Sequence, residues 1–312
     1  MKIFVASAFS KNNSGGNKAG VCFTNENLNE KQKKGISSEL GYAETAFLSV
    51  SSIKDVDFKI EYFTPAEEVP LCGHATIAAF TVMKNHNLLK KENYRIETQS
   101  GILDIRIKNH TIFMEQNKPQ FFEYIAPTIF DNCYDMKVVS DQLPIQIVST
   151  GLRDIMLPVM NLATLNKMNP NFEEIKRISK EYDTVGIHAF VIDDDRIVCR
   201  NFAPLYDVPE ESATGTSNCA LACYLHKNEI IKQDNYIFEQ GYSLHEPSEI
   251  TVQLELVKNQ INKVVVGGNG YVVEEKAKQW FFNSESSIKS PILTIPDCSP
   301  LDEIRRVTYN NN

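Results

Sequence analysis

Leu71-Cys-Gly-His-Ala-Thr-Ile-Ala-Ala-Phe80 and Ser212-Ala-Thr-Gly-Thr-Ser-Asn-Cys-Ala-Leu-Ala222 each carry a small-residue, glycine-containing turn into an apolar helical segment. What precedes them is shared as well. Phe63-Thr-Pro65 followed by Val69-Pro70 recurs as Phe202-Ala-Pro204 followed by Val208-Pro209, all four positions offset by the same 139 residues, with Gly215 arriving three residues late. Downstream, Ile96-Glu-Thr-Gln99 precedes the strand-like run 102–107, and Phe238-Glu-Gln240 precedes 249–254. Matches kept in one order over about 40 residues point to two similar halves.

Working outward, alternating or β-branched runs predict strands at 2–6, 46–50, 57–63, 102–107, 145–149, 187–192, 196–202, 250–256 and 263–266. Helices are expected at 29–40, stopped by Gly41, and at 74–87, 171–181 and 216–227. Asp193-Asp-Asp195 reads as a hairpin turn, and Gly267-Gly-Asn-Gly270 as a second hairpin between Val264–Val266 and Tyr271–Val273. A linker falls at 117–142, where Pro119, Pro127 and Pro144 interrupt an irregular stretch. The expected organisation is an N-terminal half over 1–125, a C-terminal half over 126–275 and a C-terminal extension over 276–312.

Composition bounds the function. The 312 residues are 42% hydrophobic and 23% charged, which excludes a disordered or fibrous chain, and no apolar run reaches the ~18 residues that span a bilayer. With 40 Asp and Glu against 32 Lys and Arg, the balance argues against nucleic-acid binding, so an anionic substrate needs a locally positive site. Seven cysteines without a C-x-x-C pair indicate neither a disulfide framework nor a zinc ribbon, and fit reduced thiols in a cytoplasmic protein. The start, MKIFVASAF, reads as a strand and not as a secretory signal. No strand-flanked G-x-G-x-x-G and no G-x-x-x-x-G-K-[ST] run exists, so no nucleotide cofactor is expected, and no metal either.

Gly73-His74-Ala75-Thr76 and Thr214-Gly215-Thr216-Ser217 stand at helix starts, where backbone N–H groups lack intrahelical partners and the helix dipole adds positive charge. Both turns are therefore candidate anion sites, with helix capping by Thr and Ser as the alternative. Glu44, between the Gly41 stop and the apolar run Thr45-Ala-Phe-Leu48, is the candidate proton carrier, because partial burial raises a carboxyl's pKa toward a range useful for moving protons, with a solvated glutamate at a strand end as the alternative. Lys31, Lys33 and Lys34 read as the solvated face of a helix.

Asn17-x-Ala-Gly-Val21 after Gly15-Gly16, Glu44-Thr-Ala-Phe47, Phe63-Thr-Pro65, Leu71-Cys-Gly-His-Ala-Thr76, Arg200-x-Phe-x-Pro204 and Ala213-Thr-Gly-Thr216 stand in an order that resembles the PhzF (phenazine biosynthesis-like) family, and Gln240-Gly241 and Pro247-Ser248 continue it. The resemblance covers about 1–275. It implies the α+β diaminopimelate-epimerase-like fold, in which two pseudo-symmetric halves each wrap a curved mixed sheet around a central helix, with a cleft between them. It also implies a homodimer, and a glutamate that moves a proton between carbons of dihydro-3-hydroxyanthranilate without a cofactor. Carried over, Glu44 is that glutamate, assisted by His74 and Glu211, while Asn17, Gly73, Gly215 and Thr216 bind substrate.

Fold relatives in that superfamily use two cysteines as acid and base. Setting their motifs against this chain puts Ala78 and Thr214 at the two thiol positions, which leaves Cys72 as a packing residue. A Cys72–His74 nucleophilic pair is disfavoured, since residues two apart point differently and no orienting carboxylate is evident. Where the family has Glu-Asp-Pro-x-Thr-Gly-Ser, this chain has Glu210-Glu-Ser-Ala-Thr-Gly-Thr216. The longer Glu211 and the branched Thr216 are expected to reshape the pocket. The leading expectation is a cofactor-independent isomerase or epimerase for a small carboxylate-bearing molecule, with lyase or hydratase chemistry, or carboxylate binding without chemistry, as alternatives.

Overall fold

The computed structural model describes residues 1–24 and 27–276. Among these described residues, eighteen strands against five α-helices make a sheet-dominated α+β protein. The chain divides into two compact units, one built from Met1–Ala8, Lys18–Ile112 and residues 269–276, the other from Phe9–Asn17 and Phe113–Gly268.

One series of strand pairings occurs in each unit. In the first, Asn17–Phe23 runs parallel to Thr45–Val50, which pairs antiparallel with Phe58–Phe63; that strand pairs antiparallel with Glu68–Val69 and parallel with Asn93–Thr98, which turns back on Gly101–Lys108. In the second, the same series runs through Arg153–Pro158, Gly186–Asp193, Arg196–Ala203, Val208–Glu211, Asn235–Gln240 and Ser248–Val257. The short strand and the helix fall between the two parallel partners each time, so a crossover through the helix connects two parallel strands of one sheet.

The helices in those crossovers are Gly73–Asn85 and Gly215–Lys227. His74 to Met83 in one and Ser217 to His226 in the other are buried without a break, as expected of helices that are apolar all round. Burial of Ile77, Phe80, Val82 and Met83 contributes roughly 1.5–3 kcal/mol per side chain. In the second unit the Gly186–Asp193 strand has no polar face, because both faces are covered. Ile187, Ala189 and Val191 pack with Ile175 and Ile178 of the Phe172–Glu181 helix, whereas His188 and Phe190 meet Asn218 and Tyr224 of the Gly215–Lys227 helix. In the first unit the Glu30–Leu40 helix brings Ile36 onto Cys22, Phe47 and Phe63. It opens on an Asn29–Gln32 capping box and closes at Gly41, whose φ of 74° is the left-handed conformation glycine adopts without strain.

Every strand and helix expected from periodicity is present, with ends moved by at most three residues. Four details differ. Lys33 is buried, pairing with Glu61 at 2.7 Å and lying 5.3 Å over the Phe63 ring, because its stem covers apolar surface on the way to a carboxylate. Gln120–Ile125 is a strand paired with Ile145–Ser149; Pro119 and Pro127 bracket it instead of interrupting it. The glycines at 267–270 do not close a hairpin, since Gln260–Gly268 pairs with Ser248–Val257 and Gly270–Lys276 with Lys2–Ala8. The Leu162–Lys167 helix and several polar strands were not expected. The expected extension lies beyond Lys276, with Cys298, outside the described residues.

Candidate active site

Glu44 leaves the chain just before the Thr45–Val50 strand, its carbonyl fixed by the Gly20 N–H at 3.1 Å. His74 is the second residue of the buried helix. The two side chains meet with His74 Nε2 3.2 Å from Glu44 Oε2, at 8% and 22% exposure. Cys72 Sγ lies against the same ring, 3.5 Å from Nδ1 and 3.9 Å from Nε2. Cys72 is still extended, with φ −139° and ψ 113°, and the helix begins at the next residue. That junction swings the side chains of 72 and 74 to the same side, and Glu44 is the carboxylate that the sequence did not reveal beside them. Thr76 braces the turn by donating to the Cys72 carbonyl at 2.7 Å, and Tyr62 shares a 2.6 Å hydrogen bond with the same hydroxyl.

Glu44 Oε2 is buried and, despite its closeness to His74, is not aligned for a hydrogen bond from any described group. Burial pushes the Glu44 carboxyl up, but His74 outweighs it and holds the group below its ordinary value. Burial also works against the imidazolium; Cys72 and Glu44 overcome it and hold His74 well above its ordinary range. The Cys72 thiol is pushed up, by burial first. A carboxylate beside a protonated imidazole thus places one proton acceptor and one proton donor in a single pocket.

The second helix start is organised differently. Glu211 does not point to solvent: Oε1 accepts from Asn17 Nδ2 at 2.8 Å and Oε2 from the Thr214 hydroxyl at 2.5 Å. Asn17 also donates to the Ala213 carbonyl at 3.2 Å. Gln240 ties the turn from below, donating to the Glu211 carbonyl at 2.8 Å and to Thr214 Oγ1 at 3.1 Å while accepting from Asn218 Nδ2 at 2.9 Å. Deeper still, Ser217 donates to Asp154 at 2.7 Å, and Asn201 donates to Ser217 and to His188 Nδ1, each at 3.2 Å. Burial pushes Asp154 up to about 7 and His188 down to about 4.

Neither Cys72 nor Thr214 closes its helix with a side-chain hydrogen bond, so capping by the residue before the glycine is absent at both starts. The glycine of the second turn has a packing reason of its own, since a Cβ at Gly215 would sit 3.1 Å from the Phe9 ring and 3.3 Å from Val266. Thr216 accepts from Thr150 through its carbonyl. Ala78 is buried in the helix, away from the helix start. Glu44, Gly73 and His74 therefore come together in the first unit, and Asn17, Glu211, Gly215 and Thr216 in the second. Cys72 and Asn218 were not expected in these clusters, and Gln240 was quoted only as part of the family motif; for Asn218 the one signal is a polar side chain inside an otherwise apolar segment.

Among the described residues no helix is long and apolar enough to cross a membrane. Residues 6–276 match the PhzC-PhzF family, described as phenazine biosynthesis-like protein. The chain is 31% identical over 288 residues to an uncharacterized isomerase of Clostridium acetobutylicum, a match covering 87% of this chain and 95% of that one. A crystal structure of the Bacillus anthracis phenazine biosynthesis protein of the PhzF family superposes with a TM-score of 0.79 at 26% identity, covering 88% and 98% of the two chains. A probable proline racemase from Agrobacterium radiobacter shares the fold, with a TM-score of 0.58 at 12% identity over 89% of this chain and 92% of that one. With its match running over nearly the whole chain, this protein belongs to the PhzC-PhzF family of phenazine biosynthesis-like proteins.

Proposed function

We propose that this protein is a cofactor-independent isomerase or epimerase that moves a carbon-bound proton on a small carboxylate-bearing substrate. The observation that carries the reading is the Glu44–His74 pair, a buried carboxylate oxygen 3.2 Å from an imidazole that burial fails to neutralise. Glu44 takes the proton from the activated carbon. His74 steadies the negative charge that develops on the substrate and returns a proton at the second position. The first-turn N–H groups beginning at Gly73, uncapped by Cys72, receive the substrate carboxylate. The isomerase name carried by the Clostridium acetobutylicum relative supports the reaction class.

In the second unit we infer that Asn17 and Glu211 hold the Thr214–Thr216 turn in shape, and that Gly215 and Thr216 offer backbone donors to an anionic group. The repeated pairing series supports two pseudo-symmetric halves, each with its sheet around one helix. The cysteines stay outside the proton transfer in this reading.

The test is deuterium incorporation at carbon when the protein is incubated in deuterated water with a panel of small carboxylates. Exchange that is present in the wild type and lost in folded Glu44→Gln is the expected result. Saturable binding of a carboxylate without any exchange would replace the isomerase by a binding protein.

A further inference from the structure

The Glu30–Leu40 helix carries a lysine inward, and an ammonium group has three N–H donors to satisfy. Among the described residues Lys33 Nζ donates to Glu61 Oε2 at 2.7 Å and lies over the Phe63 ring, which leaves donors for a further acceptor. Beside it is a cavity of about 400 Å³ that also takes in Lys59, Ser49 and Thr24. From this arrangement we propose that the cavity is a binding site for a small organic monoanion, a carboxylate with an apolar body. The site is distinct from the Glu44–His74 pocket, and the claim does not depend on the function proposed above.

The floor of the cavity follows from strand register. On the Thr45–Val50 and Phe58–Phe63 strands Phe47 stands opposite Glu61 and Ser49 opposite Lys59, and Cys22 flanks Phe47 from the other side. Side chains two apart along a strand share a face, so these two rows lie next to each other on one face of the sheet. The helix covers the first row, with Ile36 on Cys22 and Phe47. The second row, a hydroxyl and an ammonium, lines the cavity instead, and Leu28 lines it from just before the helix. Tyr62 points to the opposite face, where its hydroxyl meets Thr76 of the Gly73–Asn85 helix, so the sheet itself stands between this cavity and His74.

Charge sets the class of ligand. Each oxygen of Glu61 already faces an ammonium, Oε2 that of Lys33 and Oε1 that of Lys59 at 3.4 Å, so two cations share one acid and a single positive charge is left over. A monoanion balances it through charge-assisted hydrogen bonds, whereas the second charge of a dianion would face Glu61. Lys33 is only 8% exposed, and a buried charge is costly until its donors are satisfied, so the site gains from a ligand that brings acceptors. Leu28 and Phe47 give the rest of the ligand apolar contact, and the volume falls within the roughly 300–1,000 Å³ of small-molecule sites.

Sodium benzoate is the probe, titrated into the full-length protein with its leucine and threonine methyl groups labelled for nuclear magnetic resonance. The Leu28 and Thr24 methyl signals should shift along one saturable curve with a Kd of about 1 mM or tighter, the range open to so small a ligand. Sodium sulfate and benzylamine hydrochloride should not reproduce the shifts. Lys33→Met keeps an apolar stem on the sheet and removes the charge, so it should weaken benzoate binding by about tenfold or more. Should Lys33→Met not fold, Lys59→Gln at its more exposed position carries the same test, with a loss of about threefold. Benzoate shifts confined to the surroundings of Glu44 and His74, shifts that grow without saturating, or undiminished binding by the folded lysine variant would overturn the site. Tighter binding of benzylamine or sulfate than of benzoate would overturn the ligand class.

Discussion

Two helix starts, 72–76 and 214–218, share a backbone and differ in chemistry. Each begins a 13-residue helix on glycine after an extended residue, φ −139° at Cys72 and −124° at Thr214, and each has its fourth helical residue bonded back to that residue's carbonyl, by Thr76 at 2.7 Å and Asn218 at 2.9 Å. The first start then carries an ionisable cluster with an unsatisfied oxygen, whereas in the second Asn17 and Thr214 engage both oxygens of Glu211. Both oxygens of Glu211 are held in internal hydrogen bonds, which rigidifies that turn, although Asp154 Oδ1 deeper in the same network is left without a partner. On the function proposed above, one supersecondary unit holds a proton-transfer pair in one copy and a scaffold in the other.

The sharpest way to break this division of labour is Glu44→Gln. The amide keeps size and fold but accepts no proton, so the exchange rate should fall by on the order of 10² to 10⁴ with an unchanged circular dichroism spectrum. Near wild-type exchange by the folded variant would transfer the chemistry elsewhere.

Next in size is a stability effect beneath the second start. Asp154 is fully buried, with Oδ1 lacking a hydrogen-bond partner, and is pushed up to about 7. Because the folded value lies above the unfolded one near 3.9, the folded state binds a proton that the unfolded state has lost. This contribution is complete below about pH 4, is lost as pH rises through 7, and amounts to at most roughly 4 kcal/mol. His188, held down near 4, works in the opposite direction between about pH 4 and 6.5, so the wild-type curve alone does not isolate either group. Asp154→Asn does: its melting temperature relative to wild type should climb from pH 4 to 8. A difference that stays flat over that range would mean that Asp154 does not titrate.

Glu211→Asp tests whether the second start is a scaffold. A carboxylate one methylene shorter withdraws from both Asn17 and Thr214, and hydrogen bonds to a charged group contribute about 1.5–3 kcal/mol. The variant should lose roughly 1–3 kcal/mol in urea unfolding, part of the loss being recovered by water. Unchanged stability together with altered substrate preference would instead make Glu211 a specificity residue, as its departure from the family motif implies.

The fold was legible because the repeat and the hydrophobic periods agree: Phe63 and Phe202, the two proline signatures and the two apolar helices follow from side-chain burial, which a sequence records directly. Strands such as Asn93–Thr98 and Asn235–Gln240 escaped because their alternation mixes charged with apolar residues, and pairing with a neighbour, not local preference, makes them strands. Glu44 was singled out by its place between a helix stop and an apolar strand, and its candidate role came from the family resemblance. The partners Gln240 and Asn218 were not, since a satisfied polar side chain in the core looks like an error in the pattern until its donors are located. Cys72 failed for a different reason, because whether residues two apart converge depends on one extended φ at the helix boundary.

That boundary sets the smallest predicted effect. Cys72 touches His74 at 3.5 Å, so it helps set the imidazole, yet its thiol is buried and pushed up, which makes it a poor proton carrier near neutral pH. If Glu44 and His74 carry the proton, a serine at 72 keeps a small hydroxyl group near the imidazole and alters mainly its basicity. Cys72→Ser should therefore cost the exchange rate less than about tenfold, at least an order of magnitude less than Glu44→Gln, with the pH optimum displaced more than the maximal rate. A loss equal to that of Glu44→Gln in a folded protein would make the thiol a third member of the proton-transfer pair, and the two helix starts would then differ by one reactive sulfur as well as by one carboxylate.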